Sequence, residues 1–383
     1  MKNLLLVTNN LYQPRGGEIW ALELSKALRD RLNIKILFPN PAAAAKSAKE
    51  LTSMGGISCI EVKGRSFRSS IAGTQYDFFM PSLSGLSRIS SAVSKADIVY
   101  CISSNPIMIS TVIMLSKLYK KRIIYGIHNP LFSAIAEGKD TSSWTKLISK
   151  SMLGRVDAFH ALNSYDYRIA LRKFPKVKSY LIPNFLPRSV NSDEITVNRD
   201  KFIVLFVGKL LKREKGLDFL SEIIKRVMKK SKDVHFRIIG PEGDSKDLLK
   251  SLAERYPKNI EVLGFMAKDK LERQYAGADL FILTSRKETF GLALLEAQSY
   301  GIPAVSFDVG GPTDIVKESF QGKILGKFDT ESFAAAVLKY YKKWQDKESY
   351  LRLKRKIHKE VNARYGQDRV IPELLHLLIE DKN

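Results

Sequence analysis

The chain is predicted to be an α/β protein with two doubly wound halves, each a parallel sheet flanked by helices, and three observations predict it. Short apolar strands alternate with amphipathic helices from the first residues onward, the pattern of sheets whose parallel strands are joined by helical crossovers. The same order begins again after Phe202. At 383 residues, 44% of them apolar, the chain exceeds what one core usually serves and can fill two.

In the first half, strands are expected at Leu4 to Thr8, Ile34 to Phe38, Ile57 to Val62, Ile98 to Ile102, Ile123 to Ile127 and Ala158 to Leu162. Each is an apolar or β-branched run too short for a helix. Helices are expected from about Gly17 to Arg29, with Ile19, Leu22, Leu24 and Leu28 as the apolar face, and from Ile107 to Tyr119. Pro14-Arg15-Gly16-Gly17-Glu18 joins the first strand to the first helix, where Gly16 and Gly17 let backbone amides approach an anion. His128 ends a strand in Tyr-Gly-Ile-His-Asn-Pro, and strand C-termini are where such sheets hold ligands. Tyr180 to Asn184 is a last strand before the polar stretch 188–200, which lacks an apolar period and is expected to be a linker. The expected domains are therefore 1–187 and 201–366, with a terminal helix in about 367–383.

In the second half, a strand from Phe202 to Val207 leads to Gly208, Lys209 and then Lys215-Gly216, which opens an amphipathic helix. The strand Val234 to Ile239 leads to Gly240-Pro241-Glu242-Gly243. Leu263-Gly264-Phe265-Met266 follows; its Phe and Met suit either core packing or a loop facing a ligand. The most informative segment is 279–303. Leu280 to Leu283 is a buried strand, Ser285 to Glu288 a polar loop, Thr289 the expected N-cap of a helix, and Gly301 with Pro303 its end. The amides around Phe290, Gly291 and Leu292 have no intrahelical partner and lie at the positive end of the helix dipole, which suits a phosphate. Glu296 lies seven residues past the expected cap, roughly 10 Å along the helix. A ligand that meets Glu288 and Glu296 with hydroxyls and the helix start with phosphate is a sugar nucleotide.

Two glutamates at this spacing, in this strand, loop and helix, resemble the C-terminal half of the family-four retaining glycosyltransferases of GT-B fold, the glycosyl transferases group 1. The resemblance implies two Rossmann-like domains facing across a cleft, with the last helix, Pro372 to Ile379, crossing back to the first. It implies that Glu288 contacts the donor sugar, Glu296 the ribose, and the helix start from Thr289 to Leu292 the diphosphate. Lys209 and Lys215 look like the family's diphosphate clamp, although Arg is more usual at the first position and Lys lacks its planar fork. Phe265 and Met266 stand where the family frames the base, Gly16 and Gly17 where it places a glycine pair in its first loop. His128 is similar to a histidine near the donor sugar and the acceptor oxygen. Gly310-Gly311-Pro312 with Asp314 resembles the last glycine turn, Asp standing where Glu is usual.

No Asp-x-Asp motif, zinc spacing or nucleophile elbow is present in the sequence. The resemblance then implies front-face attack with retention, no cofactor and no metal, the nucleotide sugar (a UDP-sugar or GDP-mannose) being the substrate. Cys59 and Cys101 offer no disulfide framework, which suits a reducing compartment. Leu4 to Val7 is too short for a signal peptide core, and no run approaches a membrane span, so a cytoplasmic location is expected.

The formal charge of +23 exceeds what a donor site needs. Residues 1–200 carry 28 Lys and Arg against 14 Asp and Glu, and 115–155 alone carry eight against two. Between Gly64 and Ser94, Arg65, Phe67, Arg68, Tyr76, Phe78, Phe79, Met80 and Arg88 mix basic and aromatic groups without a clear period. This suits peripheral docking on an anionic membrane, with a lipid-linked or saccharide acceptor for glycan or cell-envelope assembly. A basic solvated surface on a soluble synthase or phosphorylase of small sugars is the other reading. Nucleic acid is not an expected partner, since no helix-turn-helix, zinc-finger or RNP signature accompanies the charge. The sequence sets no oligomeric state.

Overall fold

The computed structural model describes residues 1–9, 11, 16–41, 57–71, 74–137, 151–198 and 200–380, with only the backbone for 41, 67–71 and 74–78. The chain divides into two units, Met1–Asn184 with Val370–Asn383, and Phe185–Arg369.

The first unit holds strands β1 (Asn3–Val7), β2 (Asn33–Pro41), β3 (Ser58–Ile71), β4 (Thr74–Pro81), β5 (Ile98–Cys101), β6 (Arg122–Ile127), β7 (Ala158–Ala161) and β8 (Lys178–Leu181). They form one sheet in the order β4-β3-β2-β1-β5-β6-β7-β8. Every pairing is parallel except β3 with β4. Helices α1 (Gly16–Leu28), α2 (Leu83–Lys95), α3 (Pro106–Leu118), α4 (Leu131–Glu137) and α5 (Ser164–Lys173) connect the strands. The core packs β1, β5, β6 and β7 against α2 and α3 through Val7, Val99, Val112, Ile113 and Phe159. Strand alternation was the correct guide here, with local departures. Of the mixed basic and aromatic residues, those from Arg65 to Met80 lie in a β-hairpin, an antiparallel pair at the sheet edge, and Arg88 lies on α2, so no single period runs through them. Helix α1 buries Trp20, Ala21, Leu24 and Leu28, which share one face, whereas Ile19 falls on the opposite side and is exposed.

The second unit holds β9 (Phe202–Val207), β10 (Val234–Ile239), β11 (Ile260–Gly264), β12 (Leu280–Leu283), β13 (Ala304–Phe307) and β14 (Gly322–Leu325), all parallel, in the order β11-β10-β9-β12-β13-β14. Its helices are α6 (Leu217–Lys230), α7 (Lys246–Arg255), α8 (Lys268–Ala276), α9 (Leu292–Ser299), α10 (Gly311–Ile315), α11 (Thr330–Trp344), α12 (Lys347–Tyr365) and α13 (Gln367–Ile379), the last passing into the first unit at Val370. There the Ile379 carbonyl accepts from Lys2 Nζ at 3.2 Å and that of Leu378 from Arg122 at 3.1 Å. Residues expected to link the halves pack within the second unit: Val190 and Ile195 are buried, and Arg188 pairs with Glu194 and Glu272. Two isolated apolar anchors suffice to hold a segment that has no period.

Candidate active site

Both sheets reverse their winding at one point, between β1 and β5 in the first and between β9 and β12 in the second. The loops that follow those strands diverge there and leave the crevice where open α/β sheets bind ligands.

In the second unit the crevice lies between 208–216, after β9, and 284–291, after β12. Lys215 Nζ is 2.8 Å from Glu288 Oε2, both side chains being partly exposed, and Ser285 Oγ lies 3.5 Å from the same oxygen. The backbone holds this pair in place. Gly216 caps α6 at φ 66°, and a Cβ there would stand 2.0 Å from the Thr284 carbonyl oxygen; only glycine lets the two loops touch. Thr284 Oγ1 donates to the Lys215 carbonyl at 2.9 Å. Glu288 is tied on its other side by a bridge to Gly310.

Arg286, which carries no sequence signal, clamps the same loops. Its guanidinium makes a two-pronged pair with Asp218 at 2.9 and 2.6 Å, donates to the carbonyls of Lys212 and Arg213, and lies 4.0 Å over the Phe219 ring. Burial acts to raise the Asp218 carboxyl, but the Arg286 hydrogen bond and charge outweigh it and hold the group below its usual range.

The start of α9 departs from expectation. Its N-cap is Gly291 at φ 98°, not Thr289, and no side chain caps it. The left-handed conformation, open to glycine and costly for threonine, moves the helix start by two residues. The amides lacking an intrahelical partner are thus those of Leu292, Ala293 and Leu294. Phe290 is buried against Tyr365, so its side chain anchors the loop in the core. Glu296 stands five residues past the cap. It accepts from the Tyr275 hydroxyl at 3.0 Å and lines a recess of about 40 Å³ with Arg188, Lys268, Glu272 and Tyr300. Burial, then the Glu296 charge, pushes Tyr275 well above the ordinary phenol range. Lys209 is exposed on the loop after β9. Phe265 is 76% exposed and Met266 half-buried, so Phe265 is not core.

In the first unit, Gly17 at the start of α1 adjoins His128, a Cβ on Gly17 lying 3.6 Å from the His128 Cβ. Gly16 is exposed beside it; Pro14 and Arg15 lie outside the described residues. Asn9, unremarked in the sequence, fastens the loops after β1 and β5: its Oδ1 accepts from Ser103 Oγ and from the amide and hydroxyl of Ser104 at 2.8 to 3.1 Å. Its amide donates to the buried Glu18 at 2.9 Å. Trp20 lies against His128, ring centroids 4.3 Å apart. Burial, then the nearby His160, holds His128 well below the usual imidazole range. Among the described residues no group of three or more His, Cys, Asp and Glu is placed to hold a metal.

Two Rossmann-like sheets, with an ammonium, a carboxylate and an open helix start at the switch point of the second, define a protein of GT-B fold. Residues 188–360 match the family model for glycosyl transferases group 1. Anabaena HepE in complex with UDP and glucose superposes with a TM-score of 0.76 over 100% of both chains, at 15% identity. An uncharacterised 41.2 kDa protein in the cps region of Klebsiella pneumoniae is 28% identical over 61% of this chain and 66% of its own length. A human phosphatidylinositol N-acetylglucosaminyltransferase polypeptide is 31% identical over 36% of this chain and 29% of its own. The chain thus spans less than two thirds of the length of either relative.

Proposed function

We propose that this protein is a retaining glycosyltransferase that transfers a hexosyl group from a UDP-sugar to an acceptor hydroxyl without a metal ion. The observation that carries the reading is the Lys215–Glu288 pair at the switch point, beside the uncapped start of α9. An ammonium and three free amides suit a diphosphate; a carboxylate suits sugar hydroxyls. Glu296, further along the helix, takes the ribose, and exposed Phe265 with Met266 frames the base. UDP in the HepE complexes favours UDP over GDP as the nucleotide.

In the reaction the bond from the anomeric carbon to the diphosphate oxygen breaks, and the acceptor oxygen bonds to that carbon on the same face. The acceptor's proton passes to the departing phosphate oxygen, and the nucleoside diphosphate leaves. Lys209, Lys215 and the amides of Leu292 to Leu294 offset the charge that develops on the diphosphate, the task a metal performs elsewhere. His128 and the Gly16–Gly17 start of α1 serve the sugar and the acceptor.

The acceptor is a lipid or lipid-linked saccharide at an anionic membrane. No helix among the described residues is long and apolar enough to cross one. Supporting peripheral docking, the first unit exposes Leu83 (87%) and Leu86 on α2, and Met114 and Leu118 (69%) on α3. These helices are joined by the Ser90–Tyr119 hydroxyl contact at 2.7 Å, with exposed Lys95, Lys117 and Lys120 at their ends. The human relative, a phosphatidylinositol N-acetylglucosaminyltransferase polypeptide by name, favours the same reading.

The test is calorimetric titration with UDP, GDP, ADP and their sugar conjugates in the presence of chelator, with Glu296→Ala as control, followed by transfer assays with and without anionic vesicles. Saturable binding of UDP and its conjugates, weakened by the substitution, and turnover in chelator support the reading. No binding of any nucleotide overturns it.

A further inference from the structure

Three ring side chains in the first unit form a proton-ordering chain. Strands β5, β6 and β7 lie side by side, which brings together Tyr100 on β5, His128 just past β6 and His160 on β7. Tyr100 and His160 are fully buried. His160 Nε2 stands 2.7 Å from the carbonyl oxygen of Ile182. A carbonyl only accepts, so this nitrogen carries a proton. Burial holds His160 down at about 4, leaving the ring a single proton at neutral pH and Nδ1 a bare acceptor. The Tyr100 hydroxyl bonds to that Nδ1, and it donates. The phenolic oxygen then accepts from its remaining neighbour, His128 Nε2, at 3.3 Å. His128 therefore has its proton on Nε2, and its Nδ1 keeps a lone pair, for which the described residues supply no partner.

The surroundings are shaped for this chain. Gly126 leaves room for the phenol: a Cβ there would stand 2.5 Å from the Tyr100 oxygen. Trp20 packs against all three rings, with centroids 4.3 Å from His128, 5.6 Å from Tyr100 and 6.2 Å from His160. The β5-β6-β7 register fixes the other side.

We propose that Tyr100 and His160 are positioning residues that lock His128 in its Nε2–H tautomer, so that Nδ1 is presented as a hydrogen-bond acceptor to a substrate hydroxyl. The link to substrate rests on placing His128 in the transfer site; the tautomer itself does not. A neutral acceptor selects a hydroxyl over a phosphate.

Long-range proton–nitrogen spectra of protein carrying heavy-nitrogen histidine read the tautomer directly, with His128→Gln to assign the signal. At neutral pH, His128 is expected to be protonated on Nε2 alone. Tyr100→Phe should mix the two tautomers. His160→Gln retains an N–H for Ile182 and an acceptor for Tyr100 and should preserve the single tautomer, whereas His160→Leu should not. In transfer assays, folded Tyr100→Phe should lose about tenfold in kcat with donor KM unchanged, the size of one hydrogen bond. An Nδ1–H or doubly protonated His128 in the unaltered protein, or a tautomer indifferent to Tyr100→Phe, overturns the lock. Mixed tautomers with unchanged kcat overturn its link to substrate. Because the spectra need no turnover, failure of the transferase reading would leave the tautomer decided.

Discussion

At the switch point of the second sheet an ammonium and a carboxylate stand 2.8 Å apart on partly exposed side chains. Beside that of the first, two imidazoles and a phenol share protons in an uncharged set, with Tyr100 and His160 fully buried and His128 partly so. The same architecture thus carries two chemistries. Charge near solvent can meet a diphosphate whose own charge changes during the reaction, at modest desolvation cost. Neutral buried rings cannot stabilise a diphosphate, but they orient one lone pair without competition from water. The contrast teaches that the charged pair of the second unit should tolerate small losses of stability and the first unit's rings should not.

The largest expected effect tests the charged side. Glu288→Ala should lower transfer by about 10²–10³-fold, the usual loss when one transition-state contact is removed. Affinity for the nucleoside diphosphate should stay or rise, since Lys215 loses its competing carboxylate. Kinetics with UDP calorimetry checks both; equal loss of nucleotide affinity would mean that Glu288 does not face the sugar.

Acid should separate the units next. His160, held at about 4 by burial against an ordinary 6.5, favours folding fully above pH 6.5, and that contribution is lost as pH falls toward 4. Two and a half units correspond to about 3 kcal/mol. Asp279 in the second unit has the opposite sign: burial pushes it up to about 6, so its contribution is greatest below its unfolded value near 3.8 and is lost as pH rises to 6. Acidification should therefore open the first unit before the second. Limited proteolysis across this range, with the fragments identified by mass, checks the order, and loss of the second unit first would break the comparison.

Glu296→Ala should weaken nucleotide binding about tenfold, one hydrogen-bonded carboxylate's share. Transfer at saturating donor should be nearly unchanged, which distinguishes a ribose contact from a reacting one.

The two regions also differ in how far the sequence revealed them. Strands Phe202–Val207 and Val234–Ile239 match expectation at both ends because continuous apolar runs flanked by charge or glycine mark a central strand. Lys215 and Glu288 were legible as residues on loops after strands; their contact needed β9 and β12 to be neighbours, which strand alternation alone does not fix. The cap at Gly291 was hidden because Thr289 is the better cap by composition, and only φ decides between them. Tyr100 and His160 were invisible for a further reason. Each sits in a strand among apolar residues, 28 and 32 positions from His128, and only the β5-β6-β7 order makes them neighbours. Arg286 and Asp218 likewise meet only after folding.

The smallest expected effect concerns the aromatic residues, which the two units use in opposite ways. Trp20 and Tyr100 are buried, so truncating either removes packing. Phe265 is 76% exposed on the loop after β11 and supports little of the core. Phe265→Ala should therefore leave Tm unchanged while losing about 1 kcal/mol of nucleotide affinity, roughly fivefold, as expected for one ring stacked on a base. The loss should be the same for UDP and UDP-sugar, since the sugar lies at the far end of the ligand, and should vanish for a sugar diphosphate without a base. A drop in Tm, or a loss confined to the sugar conjugate, would place Phe265 elsewhere and end the contrast between an exposed aromatic in the second unit and the buried rings of the first.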